Sequence, residues 1–252
     1  MPATLRVSRR LPAIDAVRGF AIAAMVAYHF SWDLSAYGFI AIDVVDDPGW
    51  KAFARGIAGT FLLLVGFNLV LATKDGFRAR PYFRRLAIIV AAAGAVTMGT
   101  YFFAPDEFVY FGILHEIALA SILALPFLWA PLWLTAVAAV VVLIAPDLLA
   151  SPFFDWPPLL WLGLGVSPIP SVDYVPVFPW FGVVLAGIVG GKLFLASSAP
   201  ERLAAWRAQS AFWRVVIFAG RWSLLIYLLH QLILVGVLWL AANLGLGQAS
   251  PP

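Results

Sequence analysis

The sequence predicts an all-α integral membrane protein, a polytopic bundle of about seven transmembrane helices with a cytoplasmic N-terminus. Three observations predict it. Of 252 residues, 63% are hydrophobic and only 12% charged, with a mean hydropathy of +0.95, a composition outside the soluble range. The apolar residues fall in runs long enough to cross a hydrocarbon layer about 30 Å thick. Finally, the connectors between runs alternate in charge, as the positive-inside rule requires.

Taken in chain order, the runs lie near 14–36, 52–72, 86–104, 109–129, 133–150, 178–196 and 222–244. Asp15 and Arg18 interrupt the first run, which is also too long for a signal-peptide core, so it reads as a retained span. Arg6, Arg9 and Arg10 precede it. Lys74, Arg78, Arg80, Arg84 and Arg85 fill the connector after the second run, and Lys192, Arg202, Arg207, Arg214 and Arg221 surround the last connector. These three regions are read as cytoplasmic. The intervening connectors carry Asp43, Asp46 and Asp47, then Asp106 and Glu107, then Asp147, Asp155 and Asp173. Topology therefore accounts for the net charge of +3 without a nucleic-acid partner.

The run at 133–150 is short, and 151–166 is read as an alternative re-entrant or interfacial piece. Six prolines between Ser151 and Val177 forbid one regular helix there. Phe153, Phe154, Trp156, Trp161 and Tyr174 make that stretch either an interfacial aromatic belt or a cover over a site. On the inner side, Ser198, Pro200 and Glu201 mark a helix start. Leu203, Trp206 and Trp213 are expected on one face of a helix lying at the membrane surface, with Arg202 and Arg207 turned away. With no internal repeat, 1–252 reads as a single domain.

Ionisable groups inside a span are costly and mark function by default. The first span carries Asp15, Arg18, His29 and Asp33. At about 100° per residue Arg18 and His29 lie within roughly 20° of each other around the helix, and the two aspartates within about 60°, so the four form one stripe. Asp15 and Arg18 can pair at i, i+3, whereas Arg18 and His29 stand about 16 Å apart along the axis. Further along come Tyr110, His115 and Glu116 in one apolar run, and Arg221 just before the last run, which holds His230 and Gln231. A lone histidine in an apolar helix is more often a hydrogen-bonded packing residue, and His230 fits that description. His115 beside Glu116 stands between the two readings, and the stripe around His29 favours function. The absence of cysteine excludes thiol nucleophiles and thiolate metal sites. No HxxxH or HxxE spacing supports a metal centre, and no P-loop, GxGxxG or GxSxG motif is present.

The stretches LPAIDAVRGFAIAAMVAYHFSWDL, YFGILHEIA, DYVPVFPWFGVVLAGIVGG and GRWSLLIYLLHQLIL, in that order over nearly the whole chain, resemble a bacterial family related to the heparan-alpha-glucosaminide N-acetyltransferase catalytic domain. The first stretch is also similar to the arginine and histidine signature of membrane acyltransferase-3 proteins. The resemblance implies an enzyme of the bacterial inner membrane that moves an acyl group, usually acetyl from cytoplasmic acetyl-CoA as co-substrate, to a sugar or glycolipid acceptor at the outer face, with no metal. His29, in an HxSW stretch with Ser31 and Trp32, matches the family's proposed catalytic histidine, acting as general base or acyl carrier, and Asp15 and Arg18 match its DxxRG element. Asp33, Tyr110, His115, Glu116, Asp173, Trp180, Arg221, His230 and Gln231 are the candidate substrate-binding residues, Arg18 and Arg221 for the phosphates of coenzyme A. Within the bilayer a neutral imidazole is the expected form, and it can accept a proton. The chain is shorter than the lysosomal enzyme and lacks a lumenal domain to grip a polysaccharide, so a small or lipid-linked acceptor is favoured. Membrane lipids are the remaining expected partner, and a homo-oligomer is left open. The rival reading is a secondary transporter or proton-coupled carrier running along the same stripe, which predicts broken helices in two matching halves.

Overall fold

A computed structural model describes residues 11–206 and 209–244. Arg6, Arg9, Arg10 and Arg207 lie outside the described residues. The ten α-helices among the described residues are α1 (Pro12–Ala36), α2 (Pro48–Thr73), α3 (Ala79–Phe103), α4 (Ile113–Leu123), α5 (Leu125–Trp129), α6 (Leu132–Leu149), α7 (Val177–Ala196), α8 (Ala199–Ala205), α9 (Ala211–Arg221) and α10 (Ser223–Asn243). No strand occurs among the described residues. Six helices, α1, α2, α3, α6, α7 and α10, are long and apolar enough to cross a membrane. Their outward faces are greasy: Phe103 is 86% exposed, Leu148 71% and Trp133 66%. Apolar surface on this scale is stable against lipid and not against water.

The expected span at 109–129 is instead an interrupted helix. It starts at Ile113 and breaks at Ala124 before α5 resumes. Pro126 supplies the cause, since it has no N–H for the preceding turn. Together α4 and α5 are about 25 Å long at 1.5 Å per residue, close to the hydrocarbon thickness.

The chain divides into two compact units. The first comprises 1–61 and 199–252, and the second comprises 62–198. The break falls within α2.

In the first unit α1 packs on α9 and α10. Ile22, Met25 and Ile57 form its core, flanked by Tyr28, Phe61, Ala219, Ile226 and Tyr227. The α1–α9 crossing is possible because of two glycines. A Cβ on Gly19 would overlap the Val216 carbonyl, and one on Gly220 would overlap the Asp15 carbonyl. Small residues that let backbones approach this closely are the usual device of membrane helix pairs. Helices α1 and α10 run parallel. Asp15 in the first turn of α1 pairs with Arg221, just before α10, and Asp33 in the last turn of α1 meets Gln231 within α10. Parallel first and last spans need an odd number of crossings, and counting α4–α5 beside the six long helices gives seven.

The surface helix expected from Ser198 onwards is shorter than anticipated. α8 ends at Ala205, and Trp213 belongs to the separate helix α9, where Ser210 caps the N-terminus by accepting the Trp213 N–H. Trp206 and Trp213 still meet, edge to face with ring centroids 5.2 Å apart, the first just after α8 and the second in α9.

In the second unit α3 packs on α4, α4 on α7, and α6 on α7. The C-terminal half of α2 meets α7 through Gly66 and Gly187, where added methyl groups would overlap the carbonyls of Val184 and Leu63. Lys192, expected only as an inner-face charge, donates to the carbonyls of Phe127 and Ala130 at 2.7 and 2.5 Å. It thereby satisfies carbonyls that α5 leaves open at its C-terminus, the end where a cation is favoured.

The proline-rich stretch forms two short 3₁₀ turns, Pro152–Asp155 and Pro157–Leu162. Asp155 closes it, accepting from the Val166 and Ser167 amides at 2.8 and 3.1 Å and from the Ser167 hydroxyl at 2.9 Å. These donors hold its carboxyl below the usual carboxylate range. A depressed folded value means that the staple contributes fully above the ordinary aspartate value of about 3.9 and is lost as pH falls through the folded one. Acid titration followed by Trp156 and Trp161 fluorescence should therefore show the loop loosening only below about pH 4. Asp155→Asn should remove that transition.

Candidate functional site

The first unit holds seven of the candidate residues, and α1 supplies four because the stripe read from its sequence persists in the fold. Near its start the buried Asp15 carboxylate accepts from Arg18 Nη1 at 3.1 Å and from Arg221 Nε at 3.3 Å. Two guanidinium groups on one carboxylate leave an excess positive charge in this triad. Arg221 is half-exposed, so its guanidinium retains donors able to meet an anion.

Eleven residues beyond Arg18, the half-buried His29 ring stands against two others. Tyr28 lies edge-on with centroids 5.4 Å apart, and His230 lies across it at 4.9 Å. His230 is buried, and its Nδ1 lies 2.7 Å from the Tyr227 carbonyl. A carbonyl only accepts, so Nδ1 carries the proton and Nε2 keeps its lone pair. That Nε2 is buried without a hydrogen-bond partner among the described residues. The next residue, Gln231, donates Nε2–H to Asp33 Oδ1 at 2.8 Å, while Asp33 Oδ2 and Gln231 Oε1 remain buried and unpartnered. Adjacent residues of α10 thus meet two residues of α1 spaced i, i+4, the spacing that puts side chains on one helix face.

The second unit holds Tyr110, His115, Glu116, Asp173 and Trp180. Its ordered part is a helix cap. The Gly112 N–H donates to His115 Nδ1 at 3.2 Å, which places the ring proton on Nε2, 3.2 Å from Thr97 Oγ1. The Thr97 hydroxyl in turn donates to the Val109 carbonyl at 2.8 Å. Asp173 Oδ2 accepts the Ile113 N–H at 3.0 Å. His115 Nδ1 and this aspartate oxygen therefore serve the start of α4, where helical N–H groups lack internal partners, while His115 Nε2 ties α4 to Thr97 of α3. Tyr110 donates its hydroxyl to the Pro157 carbonyl, and Tyr174 donates to Leu160. Burial, then the neighbouring Tyr110, raises Tyr174 to about 12, so it stays a donor. Trp180 is half-buried near the start of α7. Glu116 is fully buried with neither carboxyl oxygen partnered. Among the described residues no group of three or more His, Asp or Glu is placed to hold a metal ion.

The model of the heparan-alpha-glucosaminide N-acetyltransferase catalytic family matches residues 10–232. The chain belongs to this family. No curated protein and no solved structure matches it. Membership implies acyltransferase chemistry within a membrane, and acetyltransferases of this kind take the acetyl group from acetyl-CoA. The match includes α1 and His230 and Gln231 on α10, hence every first-unit candidate described above.

What sequence reasoning missed was the pairing. Nothing in either run signals that His230 faces His29 or that Gln231 holds Asp33. The cap at α4 had a local signal, a histidine three residues after Gly112, in the position from which a side chain reaches back to the N-cap backbone.

Proposed function

We propose that the protein is a single-domain acyltransferase over 1–252, set in the bacterial inner membrane with its N-terminus in the cytoplasm. It moves an acetyl group from cytoplasmic acetyl-CoA to a sugar or glycolipid acceptor at the outer face. The observation that carries this reading is the order of groups along α1. The arginine pair sits at the start of the helix, on the side of the basic connectors, and the His29–His230 pair lies farther along. An anionic coenzyme is attracted to the first, and its thioester end is directed toward the second.

At the second position His29 is the general base, with the acyl carrier as its alternative role. As base it takes the proton of the acceptor hydroxyl or amine while the nucleophile bonds to the thioester carbonyl carbon. The carbon–sulfur bond then breaks and coenzyme A leaves as thiolate, which is reprotonated. Asp15 keeps the two arginines in register, and Asp33 with Gln231 binds the acceptor.

Purified protein incubated with labelled acetyl-CoA should bind it saturably and hydrolyse it slowly, water replacing the acceptor. Absence of both would refute the reading. Uptake of a solute into vesicles without acetyl-CoA would support a carrier instead. Arg18→Gln and Arg221→Gln should each raise KM for acetyl-CoA about tenfold or more, the loss of a hydrogen bond to a charged group, with smaller effects on kcat. Initial rates against acetyl-CoA concentration measure both.

A further inference from the structure

The atom with the best-defined proton-accepting geometry in the first unit is not on His29. Among the described residues none bonds His29 so as to fix its tautomer, whereas the Tyr227 carbonyl fixes that of His230. The consequence is a lone pair on Nε2, in a residue 8% exposed, with no donor among the described residues to meet it. A buried nitrogen acceptor left open is costly, and such groups persist where a ligand supplies the missing partner. The surroundings narrow that partner's chemistry. The other two orphaned atoms on this face, Asp33 Oδ2 and Gln231 Oε1, are also acceptors, so whatever enters must bring hydrogen-bond donors. A hydroxyl or amine qualifies, and a phosphate does not.

We propose that His230 is a second catalytic residue, the base whose Nε2 takes the proton of the acyl acceptor. The proposal rests on the acyltransferase reading and revises it at one point: the proton of the acceptor goes to His230 instead of His29, which keeps its place beside the acyl group. The acceptor X–H bond breaks as X bonds to the acyl carbon, and the proton passes to His230 Nε2. The carbon–sulfur electron pair leaves with the thiolate, which recovers that proton directly or through solvent and returns His230 to neutrality. His29, whose ring packs against that of His230 with centroids 4.9 Å apart, is then free to engage the acyl group. The hydrogen bond from His230 to Tyr227 supplies orientation, as the partner of a catalytic imidazole does in hydrolytic triads.

The full chain, reconstituted in liposomes, tests this through hydrolysis of labelled acetyl-CoA. His230→Asn can preserve a donor to the Tyr227 carbonyl and removes the basic nitrogen, and His230→Gln places an amide near the Nε2 position. Both should lower kcat by about 10²- to 10⁴-fold with little change in KM for acetyl-CoA. Added imidazole should restore part of the turnover in His230→Ala, which a residue needed only for packing would not allow. Nitrogen NMR on histidine-labelled wild type, independent of any variant's folding, should find His230 protonated at Nδ1. Turnover in His230→Asn within threefold of wild type, or a proton on Nε2, would overturn the assignment. If wild type itself fails to turn over acetyl-CoA, the acyltransferase reading falls and takes this proposal with it. Wild-type turnover that survives the His230 variants leaves that reading standing and removes His230 alone.

Discussion

Replacing His29 by alanine should leave a folded, monodisperse protein whose acetyl-CoA turnover has fallen by about 10²- to 10⁴-fold, the range that general acid–base groups supply. The fold should survive because His29 is only half-buried and its ring contacts are edge-on or tilted packing against Tyr28 and His230. It makes none of the hydrogen bonds that tie α1 to its neighbours, a task performed by Asp15 with Arg221 and by Asp33 with Gln231. Coenzyme affinity should persist because the arginine pair stands about 16 Å away along the helix. Turnover measured beside size-exclusion behaviour in detergent separates a chemical loss from a structural one, and wild-type turnover in the variant would retire His29 as a catalytic residue.

The largest structural effect should come from Gly220→Leu. The glycine lies where α9 touches the backbone of α1, and even a Cβ there would overlap the Asp15 carbonyl. The obstacle is backbone, which cannot rotate aside as a side chain can, so the helices must separate. Overpacking costs of about 1–3 kcal/mol, occasionally more, are the reference, and this site belongs at the upper end because separation also removes Asp15 from Arg221. The expected result is a large drop in thermal stability in detergent, with loss of the monodisperse peak. Gly236→Leu is the control, since a Cβ at Gly236 meets nothing within 4 Å, and it should leave stability nearly unchanged. Equal behaviour of the two variants would show that close approach at Gly220 does not hold the unit together.

Why some of this was legible from sequence and some was not follows from range. A span is a local property, set by some twenty consecutive apolar residues against a fixed lipid thickness, and the long helices lie where hydropathy puts them. The stripe on α1 was equally local, because helical geometry alone aligns Asp15, Arg18, His29 and Asp33. α4 and α5 were blurred into one span because a proline near a helix start and one that breaks a helix look alike in an apolar run. The decisive pairs were hidden by distance along the chain. Asp33 and Gln231 are 198 positions apart, and Asp15 and Arg221 are 206 apart. Periodicity says nothing about which faces of two such helices meet. Lys192 shows the converse limit. The positive-inside rule explained its charge well enough that its role as a cap for α5 carried no separate signal.

The central claim is that one polar column along α1 joins a cytoplasmic acyl thioester to a nucleophile on the other side of the membrane. Inverted membrane vesicles carrying the protein, supplied with labelled acetyl-CoA from outside, test it most directly. The account predicts that label moves into the sugar and glycolipid fraction of the lumenal face, depends on His29, and does not reach the outward face first. Label that remains on coenzyme A, or that transfers equally well with His29→Ala, would contradict it.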